Sequence, residues 1–155
     1  MYFNHKRGVT VLLSDLDFVT ETWKEIEKLE TKIQEMKDIA ERITTSYSAT
    51  PKSKANKDRL AEAIETRLMY ENMTLDKYTL LYEQKIILTK FINSLDDPIV
   101  CTALKMKYDT SSTEAPTWQD ISKKFGHDFK ADSIRRACTR ALKVIDMDIF
   151  KTFAV

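Results

Sequence analysis

Apolar residues recur at helical spacing through most of the chain. In the first half they repeat every seven residues and predict a helix over about residues 14–46. A second run, over residues 57–95, has no strong helix breaker, and the polar segment 47–56 with Pro51 predicts a turn between the two. Because two helices of similar length joined by a short turn fold back on each other, residues 1–95 are predicted to form a long antiparallel helical hairpin.

The apolar stripe on the second helix is wider than one partner helix can cover. Its positions are Leu60, Ile64, Leu68, Leu75, Tyr78, Tyr82, Ile86, Ile92 and Leu95, and Ile87, Leu88 and Phe91 extend it sideways. A two-helix hairpin alone buries too little surface to be stable, so another surface must cover these residues. We expect a second copy of the chain, a homodimer; the alternative is a self-contained bundle of the hairpin with the C-terminal helices.

Residues 96–155 are predicted to form a second domain of shorter helices. Asp97 suits the N-cap and Pro98 the first position of a helix that continues to Tyr108. The polar residues 109–116 that follow predict a loop acting as a spacer. The chain ends in an apolar tail, which either packs back on the domain or docks on a partner.

Two short helices around a tight turn are the most informative feature of this second domain. Thr117 is a favourable N-cap, and Asp120 three residues later gives a variant of the capping box. Gly126 lies where a left-handed C-cap is needed. Asp132 or Ser133 is expected to cap the next helix. The arrangement is that of a helix-turn-helix, in which the second helix enters the DNA major groove.

The second of these helices has one apolar and one basic side when it is plotted at roughly 100° per residue. The apolar arc holds Ile134, Cys138, Ala141, Leu142 and Ile145, and the opposite arc holds Asp132, Arg135, Arg136, Thr139, Arg140 and Lys143. The net charge of the whole chain is only +1, so positive charge is concentrated here. From charge alone, a solvated basic face or an interaction helix is an equal alternative.

With the preceding turn and helix, the basic face favours binding of double-stranded DNA. Long cationic side chains reach phosphates or the O6 and N7 edge of guanine, and neutralising phosphates releases counterions. The residues expected in the groove and at its flanking phosphates are Ser133, Arg135, Arg136, Thr139, Arg140 and Lys143. Those expected to hold the DNA backbone are Lys123, Lys124 and Lys130.

The order of these motifs resembles a known family of regulators. Thr-x-x-x-Ile-x-x-x-Phe over residues 117–125, then Ser-Ile-Arg-Arg and Arg-Ala-Leu, is similar to region 4 of bacterial sigma factors, with a longer turn. Over nearly the whole chain, the helical first half, SLDDPIVCTALKMKY and TWQDISKKFG resemble the sigma-region-4-like phage regulators of the RinA and ArpU type. The resemblance implies a sequence-specific activator of phage late genes, with host RNA polymerase as a candidate partner.

No motif in the sequence supports catalysis. The chain lacks GxxxxGK[ST], GxSxG and HExxH, so we expect neither an enzyme nor a cofactor. The two cysteines and two histidines lack metal-binding spacing, and Cys101 and Cys138 are expected to be small buried apolar residues. The alternative function is a small phage-encoded interaction or inhibitor protein that binds a host protein through its helical hairpin.

Apolar runs in the chain are short. None approaches the roughly 20 residues that a membrane span needs, and the N-terminal stretch is too short for a secretory signal. We therefore expect a cytoplasmic protein without membrane contact, and the resemblance to phage regulators implies the cytoplasm of the bacterial host.

Overall fold

The protein is all-helical in a computed structural model that describes residues 9–47 and 54–153, which confirms the predicted class. The described residues form six α-helices: α1 (Phe18–Tyr47), α2 (Lys54–Asn93), α3 (Pro98–Tyr108), α4 (Trp118–Phe125), α5 (Ala131–Lys143) and α6 (Met147–Thr152). A short 3₁₀ helix, Leu13–Leu16, precedes α1. Most of the turn predicted over residues 47–56 lies outside the described residues.

The chain divides into two compact units, and each long helix contributes to both. Unit 1 contains Met1–Trp23 and Leu81–Val155, and unit 2 contains Lys24–Leu80. The units therefore do not divide between residues 95 and 96, where the sequence placed the domain boundary. A division into compact units does not show which segments fold independently. The predicted domains, residues 1–95 and 96–155, therefore stay a prediction.

In unit 2, α1 and α2 lie side by side. Lys77 on α2 forms an ion pair with Glu25 on α1 at 2.6 Å, and the Tyr78 hydroxyl donates to the Glu30 carboxylate at 2.9 Å. The buried residues of this unit are Ile26, Ile43, Ala63 and Thr74. The core of unit 2 is therefore narrow for helices of this length.

The buried face of α2 in unit 2 differs from the predicted one. Ala63 and Thr74 are buried, whereas the predicted stripe residues Ile64, Leu68 and Leu75 are 45%, 53% and 65% exposed. The prediction was wrong here because α2 carries apolar residues on several sides. Periodicity shows that such a helix is apolar, but it does not select the side that meets α1.

The core of unit 1 is built around Phe91 at the end of α2. This side chain is fully buried, and its ring meets Phe150 edge-on at 4.7 Å and Phe153 at 5.6 Å between centroids. Leu88 and Ile92 are fully buried beside it. The apolar tail thus packs back on its own unit and contacts Phe91, which we had expected a second copy to cover, and Leu88 is also buried within this unit.

Backbone pairing ties the first described residues to the start of α6. Val11 N–H donates to the Ile145 carbonyl at 3.2 Å, and Met147 N–H donates to the Val9 carbonyl at 2.8 Å. Val11 is buried as a result. This contact joins residues 9–11 to residues 145–147, and the 3₁₀ helix that follows packs against α5.

The start of α3 is as predicted, whereas the following loop is more than a spacer. Asp97 caps α3 by accepting from Ile99 N–H at 2.9 Å. In the loop, Thr110 is buried: its hydroxyl bonds with that of Thr20 at 3.0 Å, and its carbonyl accepts from Trp23 Nε1 at 2.9 Å. The loop after α3 is therefore anchored to the first turns of α1.

We predict that Phe91→Ala lowers the free energy of unfolding by about 3–5 kcal/mol, because it removes the ring that both tail phenylalanines contact. The measurement is urea denaturation followed by circular dichroism. The control is Val144→Ala at a side chain that is 85% exposed, where a change within about 0.5 kcal/mol is expected. Equal, small losses for both variants would show that the aromatic cluster does not hold unit 1 together.

Candidate nucleic-acid interface

The inner face of α5 fixes this helix to unit 1. Ile134, Cys138 and Leu142 are at most 2% exposed, and α5 packs against α3, α4 and the 3₁₀ helix. Three buried side chains at spacings of four residues leave the helix no freedom to rotate about its axis. Their burial therefore determines which residues α5 presents outward.

The outer face of α5 carries the residues that the rotation predicts. They line a shallow surface depression of about 420 Å³, formed by Asp132, Arg135, Arg136, Thr139, Arg140 and Lys143. All but Thr139 are exposed, and Thr139 is half-buried. Ser133 and Lys130 are exposed at the start of the helix. The structure thus brings the α5 residues of the predicted site together on one accessible surface.

The cations of the predicted site are not engaged in ion pairs with any described residue. They are Lys123, Lys124, Lys130, Arg135, Arg136, Arg140 and Lys143. On the long helices the pattern is mixed: Arg67 pairs with Glu71 at 2.9 Å and Lys77 with Glu25 at 2.6 Å, whereas Lys57 and Lys90 make no ion pair with a described residue. The positive charge of α5 is consequently available to an external anion.

Two residues on the outer face limit what it can bind. The Thr139 hydroxyl donates to the Arg135 carbonyl at 2.9 Å, so its proton is used within the helix and it can offer only an acceptor or its methyl group. Asp132 lies in the first turn of α5, where a carboxylate suits the helix dipole. Its charge opposes the approach of a phosphate, so it lowers the affinity of this end of the face for a polyanion.

The start of α5 differs from the sequence-based expectation. Neither Asp132 nor Ser133 caps it: the helix begins at Ala131, and the N-cap position belongs to Lys130, whose side chain makes no capping hydrogen bond. An N-cap has extended backbone geometry, and the helix starts early enough that both residues are already in its first turn. The expectation was wrong because Asp and Ser suit both the N-cap and the first turn of a helix, so these residue types do not determine where the helix begins.

The start of α4 is the capping box that the sequence predicts. The Thr117 hydroxyl accepts from Asp120 N–H at 3.2 Å, and the Asp120 carboxylate accepts from Thr117 N–H at 3.1 Å. The hydrogen bonds from the Thr117 backbone and hydroxyl lower the pKa of the Asp120 carboxyl. With its start fixed, α4 places Lys123 and Lys124 exposed in its last turn.

Gly126 ends α4 in a conformation that other residues avoid. Its φ is +100° and its ψ is −178°, which is the extended region with positive φ rather than the predicted left-handed helical conformation. The need for glycine was predicted, although the kind of turn was not. After it, the rings of Phe125 and Phe129 lie 5.6 Å apart between centroids and pack across the turn.

Lys107 is a supporting residue that the sequence did not reveal. Its ammonium donates to the Pro116 carbonyl at 2.8 Å and lies 5.7 Å from the centre of the Trp118 ring. The Trp118 ring is also edge-on to Tyr108 at 6.5 Å. These contacts join the end of α3 to the start of α4. In the sequence Lys107 resembles any solvated helix residue, because its partners lie beyond the loop.

Beneath the outer face, ionisable groups are held neutral by burial. Burial raises the pKa of the Cys138 thiol to about 12, and it also raises the pKa of the Tyr108 hydroxyl. The positive charge of Arg135 opposes the rise at Tyr108. Cys138 is therefore an unreactive apolar contact, as predicted, whereas Cys101 is only half-buried and its thiol donates to the Ile92 carbonyl at 3.1 Å.

Comparisons with protein-family models, curated proteins and solved structures found no match for this chain. Within the described ranges, no group of three or more His, Cys, Asp and Glu side chains is arranged to hold a metal ion. Over the same residues, no helix combines the length and the apolar composition of a membrane span.

We predict that Gly126→Ala lowers the free energy of unfolding by about 1–3 kcal/mol through backbone strain. A Cβ at this position would meet no atom within 4 Å, so a steric clash cannot account for the loss. Thermal denaturation measures the effect, with His127→Ala at the neighbouring exposed position as the control. Full stability of Gly126→Ala would mean that the turn relaxes to an ordinary conformation at no cost.

Proposed function

We propose that α4 and α5 act as a DNA-binding helix-turn-helix and that the protein is a sequence-specific transcription regulator. The observation that carries the proposal is the outer face of α5, where Arg135, Arg136, Arg140 and Lys143 are exposed and make no ion pair with a described residue. Such a face, on a helix whose other face is buried, is suited to a large anion.

The dimensions of α5 suit a duplex. The helix has 13 residues, about 20 Å at 1.5 Å per residue, and the major groove of B-DNA is about 12 Å wide and admits one α-helix. Arg135 and Arg136 are near the N-terminal end of α5, the end that contacts base edges in helix-turn-helix proteins. We assign Arg136 to a guanine edge because a guanidinium binds O6 and N7 with two hydrogen bonds.

The remaining cations are assigned to the phosphate backbone. Lys123 and Lys124 lie in the last turn of the first helix of the pair, the helix that crosses the backbone in this motif. Lys130, at the N-cap of α5, supplies a further charge beside the turn. Ammonium groups on flexible stems bind phosphates as point charges, so these three lysines contribute affinity without sequence preference.

The resemblance to the RinA and ArpU type of phage regulators supports a narrower role. On that likeness the protein activates late genes of a bacteriophage, acts in the cytoplasm of the bacterial host and contacts host RNA polymerase. The residues of α4 and α5 support DNA binding alone, and the sign of regulation comes from the resemblance.

We predict that Arg136→Ala weakens binding to a selected operator by about 1–3 kcal/mol while changing binding to random DNA less. The operator is obtained by selection from a randomised duplex library, and affinity is measured by fluorescence anisotropy at two salt concentrations. Lys124→Ala should weaken both DNAs alike and flatten the salt dependence, because it removes one phosphate contact. Lys57→Ala, an exposed lysine of α2, is the control.

The outcomes separate the two functions considered. Equal losses on operator and random DNA for Arg136→Ala would remove the base-reading role assigned to this residue. Absence of binding at low salt for the unaltered protein would exclude DNA as the ligand and favour an interaction protein that binds a host protein.

We further predict that Asp132→Asn strengthens binding to operator and random DNA alike, since it removes a negative charge from the face that approaches phosphates. The gain should shrink as salt rises. Asp58→Asn, at an exposed acid of α2, makes the same charge change in unit 2 and should leave affinity unchanged. An equal gain for both variants would show that only net charge matters.

A further inference from the structure

We propose that Thr139 recognises a thymine of the operator through contact between its methyl group and the C5-methyl group of the base. The inference rests on the proposed function, because the contact requires α5 to lie in the major groove. It deepens that function by assigning one kind of base to one side chain of the outer face.

Thr139 differs from its neighbours on the outer face of α5 in charge and in exposure. Among the described residues that line the depression, it alone carries no charge. The others are Asp132, Arg135, Arg136, Arg140 and Lys143. Thr139 is half-buried, whereas those five residues are exposed. The depression therefore has a short neutral side chain at its base, with longer charged side chains around it.

The hydroxyl of Thr139 is committed to its own helix. It donates to the Arg135 carbonyl at 2.9 Å, so its proton is not available to an acceptor on a base edge. The Cβ atom of a threonine carries two branches, and with the oxygen bonded to the preceding turn the methyl group occupies the other branch. We therefore expect this side chain to contact DNA through its methyl group.

Thymine is the base whose edge complements this arrangement. Of the four standard bases, it alone presents an apolar group in the major groove, its C5-methyl, and the O4 atom beside that methyl is an acceptor. The methyl group of a threonine is a suitable contact for this apolar group. The surrounding guanidinium groups are donors for O4 or for the flanking phosphates, so the polar neighbours of the thymine methyl also find partners.

The spacing on α5 places this thymine close to the guanine assigned to Arg136. Residues three apart on a helix share a face and have Cβ atoms about 5–6 Å apart. Successive base pairs are about 3.4 Å apart along the duplex. Thr139 and Arg136 therefore contact bases that lie within about two base pairs of each other.

A different contact of Thr139 would use its oxygen rather than its methyl group. The oxygen retains a lone pair, which can accept from adenine N6 or cytosine N4. Serine keeps this oxygen and lacks the methyl group, whereas valine keeps the methyl group and has a second methyl in place of the oxygen. The two substitutions at residue 139 therefore separate the two contacts.

Replacement of single thymines by deoxyuridine tests the contact, because deoxyuridine lacks only the C5-methyl group. The duplex is the operator selected from the randomised library, and fluorescence anisotropy measures the affinity. One replacement, within about two base pairs of the guanine assigned to Arg136, should weaken binding of the unaltered protein. The expected loss is about threefold to fivefold, as for one methyl group that is no longer buried.

The substitutions at residue 139 identify the partner of that methyl group. Thr139→Ser should bind the thymine and deoxyuridine operators equally, whereas Thr139→Val should retain the preference for thymine. The matched control is Thr44→Ser on α1 in unit 2, where an exposed threonine also donates to the carbonyl four residues earlier, that of Ala40, at 2.8 Å. This control should retain the preference, and circular dichroism shows that each variant is folded.

The outcomes separate this inference from the proposed function. Specific binding with no loss at any deoxyuridine, or with the same loss in Thr139→Ser as in the unaltered protein, would overturn the thymine contact and leave the function standing. Loss of operator affinity in Thr139→Val but not in Thr139→Ser would assign the contact to the oxygen and overturn the methyl contact. Absence of duplex binding at low salt would overturn both the inference and the function.

Discussion

Burial of one face of α5 is the interaction on which the candidate site depends. Ile134, Cys138 and Leu142 are held against α3, α4 and the 3₁₀ helix, so the rotation of α5 about its own axis is set by apolar packing. The opposite face needs no contacts of its own to be positioned. Its arginines can remain free for a ligand because the energy that orders them comes from residues on the other side of the helix.

Some cations of this protein are used within the chain. Lys85, Lys107 and Lys77 are bound within the chain, to Asp109 at 3.3 Å, to the Pro116 carbonyl at 2.8 Å and to Glu25 at 2.6 Å. They hold loops and helices in place. The cations of α4 and α5 have no such partner among the described residues, and those of α5 are gathered on one exposed face, which is the observation behind the proposed contact with DNA.

Features encoded within one turn of helix were predictable from the sequence, and features that depend on distant partners were not. The Asp97 cap, the Thr117 and Asp120 capping box and the need for glycine at residue 126 follow from local hydrogen bonding and backbone sterics. The two faces of α5 follow from helical periodicity. Burial of Thr110 depends on Thr20 and Trp23, about ninety residues earlier, which no local pattern indicates.

The distribution of apolar residues around α2 explains the wrong face predicted for it. A helix that packs against a single partner is apolar on one side, and its periodicity then identifies that side. Apolar residues occur on several sides of α2, because different parts of this helix meet different surfaces: α1 in unit 2, and the tail phenylalanines in unit 1. Those contacts leave Ile64, Leu68 and Leu75 45%, 53% and 65% exposed. The side of α2 that becomes buried is therefore decided by tertiary contacts, and the periodicity of a helix with apolar residues on several sides does not specify it.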